Sequence, residues 1–145
     1  MVFDNVAPAV RRRMSRIRKR DSKPEITVRR LAHRLGYRFR LNRKSLPGTP
    51  DLVFPGRKKI IFVHGCFWHQ HHDCPHANVP STRPEYWLPK LARTKQRDVE
   101  AAEALQGLGW EVLILWECEL QNLSQLEFRI RSFLGPAGFR AISVD

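Results

Sequence analysis

No apolar run in the chain is long enough to cross a bilayer, and the N-terminus carries no apolar signal segment. These absences set aside a membrane-spanning reading and point to a bacterial-type cytosol. Cysteine is scarce and odd in number, with 3 in the chain. A disulfide framework would strand one of them, so metal or structural roles in a reducing compartment fit better. Acid is also scarce. Asp and Glu number 14 against 26 Lys and Arg, giving a net charge of +12 and a pI near 10.6. Such a surplus favours a polyanionic partner over a merely solvated basic face, because it is concentrated in Arg11, Arg12, Arg13, Arg16, Arg18, Lys19 and Arg20. This basic stretch has little apolar surface to insert, which argues against a membrane surface. There are no internal repeats.

What is present suffices for one folded domain. The 145 residues are 42% apolar, arranged in periodic blocks. Residues 1–21 read as a flexible basic arm that binds DNA, and residues 22–145 as a single domain. Ser22, Pro24 and Glu25 signal a helix start, Val28, Leu31, Ala32 and Leu35 form its stripe, and Gly36 stops it. Tyr37, Phe39 and Leu41 alternate with arginines as in a half-buried strand. Strands are expected at 51–54 and 59–64, joined by a turn at Pro55-Gly56. Residues 65–83 lack any period and read as a loop. A long helix should run from about Pro84 to Gln106, burying Leu88, Leu91, Ala92, Val99, Ala102 and Leu105. Residues 110–116 are almost wholly apolar, like a central strand covered on both faces. A last helix is expected near Ser124 to Leu134. The order α-β-β-β-α-β-α predicts an α/β fold with a mixed central sheet flanked by helices.

Two groups of residues carry chemistry. Cys66, His69, His71, His72, Cys74 and His76 crowd into the loop, and Cys118 lies beyond the next strand. Zinc takes four soft or borderline ligands in a tetrahedron, and Cys66, His71, Cys74 and Cys118 supply them while using every cysteine. Such a closed set would be structural, stapling a loop that has no element of its own. His72 is adjacent and competes with His71. A catalytic zinc on His64 or His69 is a lesser alternative, and small buried thiols with surface histidines are the bland one. The second group is acidic. Asp51 opens a strand beside Phe62, Val63 and His64. A carboxylate at a strand end, next to backbone carbonyls, suits Mg²⁺, with a histidine near enough to take a proton from water. A turn-capping aspartate is the plain alternative for Asp51, and a capping box is the plain alternative for Glu25.

The string Phe62-Val63-His64-Gly65-Cys66-Phe67-Trp68-His69 is distinctive. Leu46-Pro47-Gly48-Thr49-Pro50-Asp51 precedes it and Trp116-Glu117-Cys118 follows. Together they resemble the very short patch repair endonucleases, which nick DNA at G·T mismatches left by deamination of 5-methylcytosine. The resemblance spans about Met14 to Leu120. It implies a restriction-endonuclease-like fold with a structural zinc site and catalytic Mg²⁺. By resemblance, Asp51 and the Val63 carbonyl would bind Mg²⁺, although Val63 stands where the family pattern has Thr. His69 would be the general base, oriented by Asp98. His64 would assist near the scissile phosphate, and Glu25 would bind metal-linked water. Phe67, Trp68 and Trp87 match aromatics that wedge into the duplex. Inserting a ring costs roughly a few kcal/mol of unstacking, which is cheapest at a mismatch. The plain alternative for each is core packing. Met14, with Arg12, Arg13 and Arg16, matches a segment that grips the opposite groove. Asp73 lengthens the loop by one residue relative to the family, which leaves His71 and His72 both open as zinc ligand. His71 keeps the spacing to His69.

The expected partner is double-stranded DNA containing a mismatch, with other mismatch-repair proteins as further candidates and no membrane. The expected protein is a monomer in the cytoplasm, associated with the nucleoid. The rival functions are a restriction-type endonuclease acting on matched DNA and a non-catalytic zinc-stapled DNA-binding module.

Overall fold

The computed structural model describes residues 22–137. The arm at 1–21, with Arg12, Arg13, Met14 and Arg16, lies outside the described residues, as do residues 138–145.

Local chemistry sets the ends of the first helix, α1 (Lys23–Arg34). Ser22 Oγ accepts the Glu25 N–H at 3.4 Å, and Pro24 sits in the first turn. At the other end Gly36 takes φ +99° and donates to the His33 carbonyl, while Tyr37 donates to the Ala32 carbonyl. This paired closure needs a residue at ease in the left-handed region, hence glycine.

Four strands follow: β1 (Arg40–Leu41), β2 (Leu52–Phe54), β3 (Lys59–His64) and β4 (Glu111–Trp116). They lie in the order β1-β2-β3-β4, antiparallel except for the β3–β4 pair, which is parallel. Between β3 and β4 runs α2 (Pro84–Gly107), and α3 (Leu123–Leu134) closes the described fold.

The two-residue period of the strands sorts side chains onto two faces. Leu52, Phe54, Ile61, Val63 and Leu115 point one way. They pack with Val28, Leu31 and Ala32 of α1 and with Leu126, Ile130 and Leu134 of α3. Val53, Ile60 and Phe62 point the other way, toward Leu105 of α2 and the partly buried Ala101, Val112 and Ile114. The result is a mixed sheet with α1 and α3 on one side and α2 on the other. The same alternation sends Asp51, His64 and Trp116 to the α2 face, at one end of the sheet.

Several elements depart from the sequence reading. The strand expected from Tyr37 shrinks to two residues, because Tyr37 is fully buried and its hydroxyl donates to the Gly135 carbonyl. The Pro55-Gly56 turn is a short 3₁₀ segment (Pro55–Arg57) closed by Lys58 at φ +58°. β4 is covered on both faces, but it lies at an edge of the described sheet rather than at its centre. On α2, Leu88 and Val99 are more than half exposed and Ala92 is exposed, whereas Trp87, Leu91 and Leu105 are buried. Only the C-terminal half of α2 meets the sheet. Its first half packs on the 65–83 loop through Trp87 and Leu91, which contact Phe67, Trp68 and Val79.

Candidate active site and metal centre

A cleft of about 690 Å³ opens at the end of the sheet on the α2 side. Glu25, Asp51, Val63, His64, His69 and Asp98 all line it. They come from different parts of the chain: α1 brings Glu25, the entry to β2 brings Asp51, β3 ends in Val63 and His64, the loop brings His69, and α2 brings Asp98. The segment before Asp51 is tightly constrained. Thr49, a β-branched residue, holds φ +48°, a strained conformation for its type. Gly48 has φ +75°, and a Cβ there would fall 2.7 Å from the Ala101 Cβ of α2. The glycine is thus required both for the turn and for the close approach of that turn to α2.

Asp51 is nearly buried, and its Oδ2 accepts the Val63 N–H at 2.6 Å. Its carboxylate therefore rests against the backbone segment whose carbonyl the sequence suggested as a second ligand. Glu25 is buried, and its Oε2 accepts from Arg29 Nη2 at 3.1 Å. His69 Nδ1 donates to Asp98 Oδ2 at 2.6 Å, and the His64 and His69 rings stack 3.8 Å apart at 6°. His64 Nε2 lies 3.9 Å from Asp98 Oδ1. Burial, helped by the neighbouring His69 and opposed by Asp98, pulls the His64 pKa down to about 4. His64 is therefore neutral near pH 7. His64, His69 and Asp98 also form a group of three donors within 4.8 Å of one another.

A second group lies just beyond the same strand ends. The donor atoms of Cys66, His71, Cys74 and Cys118 all fall within 4.8 Å of one another. His71 Nδ1 is 3.7 Å from Cys66 Sγ and 3.3 Å from Cys118 Sγ. The His71 ring is fixed by stacking on Trp116 at 4.1 Å and 10°. His72 points away: its side chain is 92% exposed and pairs with Asp73 at 3.0 Å. His76 is exposed as well. No disulfide links the three thiols. Burial pushes the Cys66 thiol up to about 12, and it raises Cys118 too. Uncompensated thiolates are therefore disfavoured here, and a bound cation would reverse that preference.

Phe67 and Trp68 stand at the wall of the cleft, their rings 5.3 Å apart in a T-shaped contact. Trp87 lies beneath them, 1% exposed, with ring centroids 5.5 Å from Phe67 and 6.4 Å from Trp68. Entry of Trp87 into a base step would require this three-ring cluster to open.

Comparisons with known proteins identify the family. The family model described as DNA mismatch endonuclease Vsr matches residues 3–76. The DNA mismatch endonuclease Vsr of Escherichia coli strain K12 is 44% identical over 113 residues, covering 78% of this chain and 72% of that protein. This chain belongs to the Vsr family of DNA mismatch endonucleases. Other relatives in the family carry the name of nicking enzymes. The type II nicking enzyme V.XorIIP of Xanthomonas oryzae pv. oryzae is 47% identical over 135 residues, 92% of this chain and 98% of that protein. The type II nicking enzyme V.NmeAIP of Neisseria meningitidis is 37% identical over 109 residues, 75% of this chain and 77% of that protein.

This Vsr-family chain lines its cleft with further residues that sequence reasoning did not single out. Lys23, Thr94 and Arg97 are among them, and so is Glu117. Arg97 precedes Asp98 on α2, and that adjacency was the available signal for a cation at the rim. Glu117 lies inside the Trp116-Glu117-Cys118 string. Four carboxylates, those of Glu25, Asp51, Asp98 and Glu117, thus face one cleft in a chain of net charge +12. No helix among the described residues is long and apolar enough to cross a membrane.

Proposed function

We propose that this chain hydrolyses one phosphodiester of duplex DNA at a G·T mismatch, with His69 as general base and a divalent ion held at Asp51. The observation that carries the reading is the convergence of Asp51, His69 and Asp98 on one cleft walled by Phe67 and Trp68. His69 Nδ1 donates to Asp98, so the ring is fixed in one tautomer and Nε2 remains to take a proton from the attacking water. Asp98 also stabilises the imidazolium once His69 is charged. His64, neutral and buried, packs the other face of the His69 ring and stands beside the position of the scissile phosphate.

The donors divide between two metals by hardness. The carboxylate of Asp51, with Val63 behind it and Glu25 across the cleft, suits an oxygen-seeking ion such as Mg²⁺. When bound, that ion supplies charge neutralisation at the phosphate and a lowered water pKa. The three thiols and one imidazole suit zinc. Tetrahedral Zn–S bonds of about 2.3 Å and Zn–N bonds of about 2.0 Å require ligand separations of about 3.5–3.8 Å. The 3.3 and 3.7 Å separations around His71 lie on either side of the roughly 3.5 Å that such bonds set between nitrogen and sulfur. Cys66, His71, Cys74 and Cys118 would hold this ion as a closed structural site that ties the 65–83 loop, and with it His69, to the end of β4.

The mixed sheet with Asp51 at its rim and helices on both sides supports the restriction-endonuclease-like frame. Phe67 and Trp68 are placed to test the weak stacking of a mismatch, with Trp87 as their support. The basic arm, including Arg12, Arg13, Met14 and Arg16, would neutralise phosphates on the opposite side.

His69→Ala should fold, bind duplex DNA with unchanged affinity, and lose roughly 10²- to 10⁴-fold in single-turnover nicking rate. Nicking at the wild-type rate by that variant would remove His69 from the mechanism. Wild-type protein that binds but never nicks in Mg²⁺ would leave only a binding module.

A further inference from the structure

The chemistry above makes no use of Trp116. This residue ends β4 and pairs in parallel register with His64 at the end of β3. It therefore stands on the α2 face between the thiol-rich group and the imidazole pair. The His71 ring lies parallel to its indole at 4.1 Å. His64 meets the same indole in a T-shaped contact at 5.1 Å and 78°. His64 stacks in turn on His69 at 3.8 Å, and His69 Nδ1 donates to Asp98. An unbroken series of ring contacts thus runs from His71 to the imidazole that takes the proton. The backbone of Trp116 is fixed too. Its N–H donates to Glu119 Oε1 at 2.8 Å, and Glu119 is ion-paired with Arg129 of α3.

We infer that Trp116 is a positioning residue for the hydrolysis, a rigid spacer that sets the His64–His69 stack against Asp98. The inference rests on the reading of His69 as general base. Its physical basis is confinement. His64 is bounded by His69, by Trp116 and by the tilted ring of Phe62 at 5.6 Å. A planar indole has two side-chain torsions, and here both are restrained by the contacts around it. An aliphatic side chain in its place leaves room for His64 to turn, and His69 follows because the rings are stacked. A displacement of about 1 Å at a reacting group can cost on the order of 10²-fold in rate.

The test compares Trp116→Leu and Trp116→Met with Trp116→Phe in the zinc-loaded full chain. Three quantities are read: the single-turnover nicking rate on a G·T duplex at saturating enzyme, the Kd for that duplex without Mg²⁺, and zinc per chain. The Leu and Met variants should lose roughly 10- to 100-fold in rate with Kd and zinc unchanged, while Phe restores the rate to within about threefold of wild type. Wild-type rates in the Leu and Met variants would overturn the inference. So would a rate loss that follows loss of zinc or of fold in both variants, because Trp116 would then be a packing residue only. His69→Ala in the same assay separates the two claims. If His69→Ala is inactive and Trp116→Leu is normal, only the role of Trp116 fails. If His69→Ala nicks normally, the base assignment fails first.

Discussion

Asp51→Ala is expected to abolish nicking, lowering the single-turnover rate on a G·T duplex by roughly 10³-fold or more. The cause is loss of charge rather than loss of shape. Asp51 is bound directly to the β3 backbone, through the Val63 N–H at 2.6 Å. An ion held there would contribute several kcal/mol of charge stabilisation, and each 1.36 kcal/mol is about tenfold in rate. Stability should change less, because the unpaired Val63 N–H costs about 1–3 kcal/mol while a desolvated acid is relieved. Asp51→Asn separates the two effects. An amide oxygen can still accept the Val63 N–H, but the negative charge is gone. Both variants should bind DNA with affinity close to wild type and fail to nick. An Asn variant retaining a tenth or more of the wild-type rate would show that the charge of Asp51 is not what anchors the ion.

The second large effect is at the thiol-rich centre. Cys118→Ala should lower zinc content, thermal stability and nicking together. Cys118 lies just beyond β4, whereas its three companions lie within residues 66–74, so in the proposed zinc site it would be the ligand that joins the loop to the sheet end. Structural zinc sites bind with about 10–16 kcal/mol in small peptides, comparable to the whole stability of a typical domain, about 5–15 kcal/mol. Losing even part of that should free the loop carrying His69, and the ring stack with His64 would not survive. His72→Ala provides the contrast. His72 is exposed and paired with Asp73, so its removal should leave zinc and activity intact. Elemental analysis beside a thermal melt reads both variants. Unchanged zinc stoichiometry in Cys118→Ala would refute the ligand set.

Much of the fold was legible because its signals were local. Ser22, Pro24 and Gly36 mark the ends of α1 through the chemistry of the backbone at those positions. The run Lys59–His64 matches β3 residue for residue, since a continuous apolar stretch bounded by turn residues leaves little choice. The misreadings share a different cause. The stripe assigned to α2 assumed that one helix faces one partner. In fact its first half covers an aperiodic loop, so Trp87 is buried and Leu88 is not. No periodicity announces such a partner, because the shape of the loop depends on non-local ligands. β4 was misplaced for a related reason. Coverage on both faces is written in the composition of residues 110–116, but the number of neighbouring strands is not.

The candidate site shows the same division. The crowding of Cys66, His71 and Cys74, with Cys118 at a distance, pointed to a metal because thiols and imidazoles gathered so densely in an aperiodic loop suit a borderline-soft cation. The choice between His71 and His72 could not be made from adjacency. The structure separates them by direction, one ring stacked on Trp116 and the other in solvent. Asp98 became attached to His69 only through the resemblance, since 29 residues separate them and no pattern links the loop to α2. Glu117 and Arg97 passed unnoticed because a lone charge beside a motif residue usually faces water.

The central claim is that one cleft joins a metal-anchoring carboxylate, a fixed imidazole base and an aromatic wall that senses weak stacking. The most direct test is single-turnover cleavage of two duplexes that differ only in one G·T or G·C pair, with Mg²⁺ and with chelator. The account predicts a single-strand nick on the G·T duplex in Mg²⁺, little cleavage of the matched duplex, and none in chelator. Equal cleavage of both duplexes, or cleavage undiminished by the chelator, would contradict it.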